Sequence, residues 1–162
     1  HLREDLMLLI RPTEMSDLAT IVRFNAAMAM ETEDVELDEG LLFRGVQALL
    51  ADPTKGRYFM TEIEDKIVGQ AMITFEWSDW RNGNWWWFQS VYVLPEWRRK
   101  GVFRSLCKEI GREALEAGDA IGLRLYVDAG NRIAQETYEQ LGFEESHYRL
   151  YETQNLQTAG QE

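Results

Sequence analysis

Residues 98–104 read RRKGVFR, three cations and a glycine followed by an apolar pair. They come directly after an apolar, aromatic run that reads as a strand, at what reads as the first turn of a helix. A helix N-terminus carries unpaired N–H groups and roughly half a positive charge, so it is a natural seat for an anion. Gly101 leaves the backbone bare enough for close approach. Arg98, Arg99, Lys100 and Arg104 add charge around it, and several such contacts can clamp a diphosphate at more than one oxygen. The plain alternative is a solvated basic turn in an acidic protein. The run contains neither GxxxxGK[ST] nor GxGxxG, so neither the P-loop nor the dinucleotide fingerprint accounts for it.

Other reactive residue types are sparse. The two histidines, His1 and His147, stand far apart, and no HxxxH or CxxC spacing exists, so no metal is expected. Cys107 falls at an apolar helical position and reads as packing rather than as a nucleophile. As the only cysteine it cannot form an internal disulfide, which fits a reducing compartment such as the cytoplasm. Glu76 and Asp79, in FEWSDW, are carboxylates beside a strand end and read first as solvated loop residues.

These groups need a scaffold. A chain of 162 residues with 45% hydrophobic content suits a single domain, with a core over about 6–152 and a polar tail at 153–162. The formal charge of −11 disfavours nucleic acid and anionic membranes as partners. LMLLI (6–10) is too short for a signal-peptide core or a membrane span. Residues 6–11 read as a buried strand. A helix follows, with Leu18, Ile21, Val22, Asn25 and Met28 on one face and Ser16 as its N-cap. The six carboxylates of 31–39 read as a loop or helix start, before a second helix over 39–51. Strands at 56–63 and 66–77 flank the turn Glu64-Asp65, and a third covers 85–93. In that strand, alternation turns Trp85 and Trp87 toward the core and Trp86 toward a helix or partner. A helix over 102–117 stops at Gly118, a strand takes 121–127, a helix capped by Asn131 stops at Gly142, and 148–152 reads as a last strand. The 85–93, 102–117, 121–127 succession is a crossover, so its two strands should be parallel and the others antiparallel.

Two motifs together resemble the GCN5-related N-acetyltransferases (GNAT). Their acetyl-CoA motif, Q/R-x-x-G-x-G/A, is similar to Arg98-Arg99-Lys100-Gly101-Val102-Phe103, following Val91-Tyr92-Val93-Leu94-Pro95-Glu96. Their second signature, an Asn opening a helix, a Tyr within it and a Gly-Phe stop, is similar to Asn131, Tyr138 and Gly142-Phe143. One departure is Phe103, where the family prefers Gly or Ala. The resemblance implies an α/β (α+β) fold: a mixed, mostly antiparallel sheet, a central parallel strand pair splayed around the cofactor, and helices on both faces.

It also implies acetyl transfer from acetyl-CoA to a small-molecule primary amine. The pyrophosphate would lie on Arg98, Arg99, Lys100 and the amides of Gly101, Val102, Phe103 and Arg104. The pantetheine arm would bond the backbone at Val91 and Val93, and a backbone N–H near Tyr92 would serve the oxyanion. Tyr138 would protonate the leaving thiolate, since a phenol's ordinary pKa of ~10 is near that of a thiol. The acceptor must lose a proton, at a cost of roughly 4–5 kcal/mol for an alkylammonium at neutral pH. Many relatives place a Glu for this where Gln89 stands, so the base falls to Glu76 or Asp79, or to a water chain held by Gln89, Ser90 and Tyr92. Selectivity would come from Met28, Glu31, Glu33 and Asp79, whose carboxylates attract a cation. A homodimer is admitted by the same likeness. The competing expectations are an acyl-CoA-binding sensor without catalysis and a protein-interaction domain built on the tryptophans.

Overall fold

The computed structural model describes residues 7–161, so the readings placed on His1 and Leu6 lie outside the described residues. The chain divides into two compact units, meeting in sequence at Tyr126 and Val127.

The first unit is built on a five-stranded sheet. Its elements are β1 (Leu8–Pro12), a 3-10 turn (Met15–Asp17), α1 (Leu18–Glu33), α2 (Glu39–Ala51), β2 (Arg57–Ile63), β3 (Lys66–Ser78), β4 (Gly83–Val93), a 3-10 turn (Pro95–Trp97), α3 (Val102–Ala117) and β5 (Ala120–Leu125). Spatial order follows chain order. β1 to β4 pair antiparallel, and β4 with β5 is parallel across the α3 crossover. The hairpin between β2 and β3 turns on Glu64 and Asp65, both at positive φ, the twist that suits a two-residue hairpin.

Alternation along β2 assigns the helices to faces. Tyr58 and Met60 pack with Leu18 and Ile21 of α1 and Val46 and Leu49 of α2. Arg57, one residue away, points oppositely and pairs with Glu113 of α3 at 3.0 Å. α3 buries Val102, Leu106, Ile110 and Ala114, the i, i+4, i+8, i+12 stripe on its apolar side. Both faces of the sheet are therefore covered, as the mixed fold class requires.

Two expectations in this unit are corrected. Ser16 does not cap α1: it sits in the 3-10 turn, and the side chain holding that turn is Asp17, which accepts the Glu14 N–H at 2.7 Å and lies buried against Arg11. Trp86 faces a helix, as expected, but Trp85 and Trp87 are not buried in the core. Trp86 is the buried one, stacked under Arg57 on the α3 side, while Trp85 and Trp87 share the opposite face with Arg124. Alternation was legible; which parity faced α3 depended on pairing register.

The second unit holds α4 (Arg132–Gln140). Asn131 Oδ1 accepts the Ala134 N–H at 3.1 Å, the expected cap. Gly142, at φ 91°, ends the helix, with the Phe143 N–H donating to Tyr138 O at 3.0 Å. The strand expected at 148–152 does not form. Among its described residues the unit holds no other strand to pair with, and Tyr148, Leu150 and Tyr151 are exposed.

Candidate functional site

The parallel pair opens where the sequence is richest in motif. β4 and β5 are paired from Asn84–Ala120 to Phe88–Leu125, and β5 then ends while β4 continues to Val93. A bulge sits at this parting. Opposite β4, Met72 faces Gln89 and Gln70 faces Tyr92, so Ser90 and Val91 share one partner position. Ser90 takes φ 49°, an unusual conformation for a residue with a side chain. Beyond the bulge the Leu94 N–H donates to Val68 O at 2.9 Å. Peptide groups alternate sides along a strand. Those of Tyr92 and Leu94 therefore face β3, while those of Val91 and Val93 face the open edge, where no described strand pairs with them. The N–H of Tyr92 itself therefore points away from the open edge.

The start of α3 lies against the end of this edge. A Cβ on Gly69 of β3 would stand 3.1 Å from Val102 Cγ1 and 3.6 Å from Val93 Cγ2, so that glycine permits the close approach of helix and sheet. Gly101 caps α3 at φ 88°, with open space where its Cβ would be. The first helical bond runs from Ser105 N–H to Gly101 O at 3.0 Å. The N–H groups of the first helical turn precede that bond and so lack an intrahelical acceptor, and the N-cap residue Gly101 has no side chain to cap them. Among the described residues no carboxylate lies at ion-pair distance from Arg99, Lys100 or Arg104. Lys100 lies 5.1 Å from the centre of the Trp97 ring. Phe103 turns toward the sheet, its ring edge-on to Phe88 at 6.0 Å, so it leaves the helix start uncovered. Exposed amides, a bare glycine and three cations fit a diphosphate, and the open peptide edge fits an extended amide-bearing arm.

Arg98 is placed differently from its basic neighbours. Its Nε donates to Val93 O at 2.9 Å, its Nη2 pairs with Glu31 at 2.6 Å, and its guanidinium lies over the Tyr92 ring at 5.5 Å. The Tyr92 hydroxyl donates to the other Glu31 oxygen at 2.9 Å. The Arg98 hydrogen bond holds the Glu31 carboxyl below its ordinary range, and burial together with Glu31 pushes the Tyr92 phenol up. The end of α1 is thereby tied to the end of β4. Glu31, expected beside the acceptor, uses both oxygens in this tie.

The remaining candidates spread along the α1 face of the sheet and its rim. Gln89 Nε2 donates to Thr74 Oγ1 at 2.6 Å. Glu76 pairs with Arg124 at 2.6 Å, and Arg124 lies 3.8 Å from the centre of the Trp85 ring. Asp79 is exposed and accepts the N–H of Trp80. Met28 is half-buried on α1, and Glu33, at its end, is exposed. Cys107 is half-buried, its thiol pushed up to about 12 by burial, which suits packing. Tyr138 and Asn131 belong to the second unit, on and before α4, with the Tyr138 ring 6.2 Å from Phe143. No group of three His, Cys, Asp or Glu among the described residues is placed to hold a metal ion. Sequence reasoning missed Arg124 and Gln70; neither stands in a motif, and only strand register brings them toward β4.

Comparisons with known proteins agree with this architecture. The chain is 48% identical to "a possible acetyltransferase" from Clostridium difficile 630, whose crystal structure superposes with a TM-score of 0.85 over 91% of this chain and 97% of that one. A "predicted acetyltransferase with acetyl-CoA" from Clostridium acetobutylicum, 19% identical, shares the fold with a TM-score of 0.74 over 91% of this chain and 96% of that one. The thialysine N-epsilon-acetyltransferase of Bos taurus is 33% identical over 76 residues, a match spanning 47% of this chain and 44% of that enzyme. The acetyltransferase (GNAT) family profile matches residues 24–143, from α1 through the close of α4, and the chain belongs to that family.

Proposed function

We propose that the protein transfers an acetyl group from acetyl-CoA to the primary amine of a small molecule. The observation that carries this reading is that β4 runs on past the end of β5, leaving an open edge at Val91 and Val93, and leads to the start of α3 at Gly101, which no N-cap side chain closes; edge and helix start make the lane for the ligand. Acetyl-CoA supplies an activated thioester. The chain supplies the rest. Arg99, Lys100, Arg104 and the amides of Val102 and Phe103 hold the diphosphate. Arg98, donating to Val93 O and to Glu31, occupies that carbonyl and steadies the end of β4. The outward N–H groups at Val91 and Val93 bond the arm and the carbonyl oxygen that gains charge during transfer.

Tyr138 is assigned the proton for the departing sulfur, by the family motif on α4. Glu76 is assigned the proton of the acceptor ammonium; it stands in an ion pair with Arg124 at 2.6 Å. The exposed carboxylates Glu33 and Asp79 favour a cationic acceptor, while Glu31 is already paired with Arg98. The bovine relative is named for thialysine, a small ω-amine, which makes thialysine the first acceptor to try. A homodimer is part of the proposal, on the family likeness.

Release of free CoA with a panel of small amines tests the reaction. Tyr138→Phe should lower turnover at least tenfold while acetyl-CoA binding changes less than threefold; unchanged turnover removes Tyr138 from the chemistry. Glu76→Gln should erase the acidic limb of the pH–rate profile, and an intact limb returns the role to water beside Gln89. A second reading has one specific observation in its favour: the side chain of Gln89 is an amide, bonded to Thr74 at 2.6 Å, and cannot act as a base. A non-catalytic acyl-CoA sensor would bind the thioester and release no CoA with any amine.

A further inference from the structure

The middle of β3 carries a polar side chain that packing alone does not explain. Gln70 is fully buried, between β2 and β4. A buried amide costs free energy unless its groups are bonded. Both bonds that Gln70 makes use its nitrogen: Nε2 donates to Asn25 Oδ1 at 3.0 Å and to Ser90 O at 3.0 Å. Its Oε1 is buried and has no partner among the described residues. The amide is therefore held by what its N–H groups reach. Asn25, also buried, extends the chain by donating from Nδ2 to Tyr58 OH at 3.0 Å. Burial pushes the Tyr58 phenol up, so it stays neutral and can serve as that acceptor. The network links α1, β2, β3 and the bulge of β4.

We propose that Gln70 is a positioning residue for the reaction: by bonding the Ser90 carbonyl it holds the β4 bulge in the form that turns the Val91 peptide to the open edge. The inference rests on the acetyl-transfer reading of that edge, but its first consequence does not. Ser90 sits at φ 49°, which an L-residue adopts only when its surroundings impose it. Its carbonyl is at the point where the regular ladder is interrupted, and Gln70 supplies the donor in place of a backbone N–H. A side chain that loses this donor takes away the partner of the part-buried Ser90 O, and the bulge is then free to slip into regular register. Such a slip exchanges the two edges of the strand, turning the Val91 amide toward β3 and away from the lane. The position therefore calls for a side-chain donor of this reach, which an apolar residue of similar volume lacks.

The test is Gln70→Met, which keeps length and volume and removes both donors. Amide hydrogen exchange on the free protein should show the amides of Ser90 to Tyr92 exchanging at least tenfold faster than in wild type, with β2 protection unchanged. In turnover, kcat should fall tenfold or more while KM for the amine moves less than threefold. A folded variant with wild-type exchange at the bulge and wild-type kcat overturns the proposal. If the variant does not fold, Gln70→Glu replaces it: its protonated carboxyl can donate one O–H, so the protection factors at the bulge, corrected for the intrinsic pH dependence of amide exchange, should rise as pH is lowered from 8 to 6, and protection factors that do not change with pH overturn the proposal. If the bulge loosens as expected but wild type itself acetylates no amine, the positioning role stands as structure and the acetyl-transfer reading is what fails.

Discussion

At the scale of single residues, the most consequential groups are those that already have partners. Arg98 stands in the basic run that suggests a diphosphate cradle, yet its guanidinium is taken up by Val93 O and Glu31. An exposed pair of this kind contributes about 0–1 kcal/mol; its value lies in fixing where Tyr92 and the end of β4 sit. The buried counterpart is Asp17. Its carboxylate accepts two bonds from Arg11, at 2.8 and 2.9 Å, and the Glu14 N–H. The Arg11 hydrogen bond holds the Asp17 carboxyl below its ordinary value, and burial opposes this only in part. A depressed carboxylate contributes stability that is complete above its unfolded pKa of ~3.9 and disappears as pH falls through the folded value. Asp17→Asn should therefore lower unfolding free energy at pH 7 by about 2–3 kcal/mol and flatten the loss of stability below about pH 4. Urea melts of both proteins between pH 7 and pH 2.5 measure this, and parallel acid profiles would contradict it.

At the scale of elements, the site is a set of terminations. β5 stops at Leu125, β4 carries on past a bulge, and α3 begins on a glycine at the same end. Gly101 sits at φ 88° with nothing near its absent Cβ, so a side chain there is opposed by backbone conformation and not by crowding. Gly101→Val should cost roughly 1–2 kcal/mol of stability, the penalty of a left-handed L-residue, and weaken acetyl-CoA at least tenfold by covering the helix amides. Thermal melts with and without ligand check both, and an unweakened ligand shift would show that the α3 start does not hold it.

Much at this scale was legible beforehand. The ranges 39–51 and 102–117 coincide with α2 and α3, because apolar spacing and a following Asp-Pro or Gly mark both ends. The Asn131 cap and the Gly142 stop were legible for the same local reasons. What escaped was set by pairing. The bulge at Ser90 depends on β3 opposite it, the buried face of Trp86 on register, and the absence of a strand at 148–152 on its lack of a partner. The site divides the same way: Gly101 and its basic neighbours announce themselves, whereas Arg98 meets Glu31 and Gln70 meets Ser90 only after folding.

For the whole molecule, charge and topology act together. The chain carries −11 formally, yet Arg99, Lys100 and Arg104 gather at one helix start where no described carboxylate pairs with them. A net anion that binds a polyanion must do so through a local field, and that field is confined to the end of the sheet where β4 and β5 part. The account therefore depends on this junction being the seat of the diphosphate. Isothermal titration of acetyl-CoA into the wild type and into the Arg99→Ala, Lys100→Ala, Arg104→Ala triple variant tests it most directly. One ligand per chain, with affinity reduced at least tenfold in the folded triple variant, is the predicted result. No heat of binding in the wild type, or equal affinity in the two proteins, would contradict it.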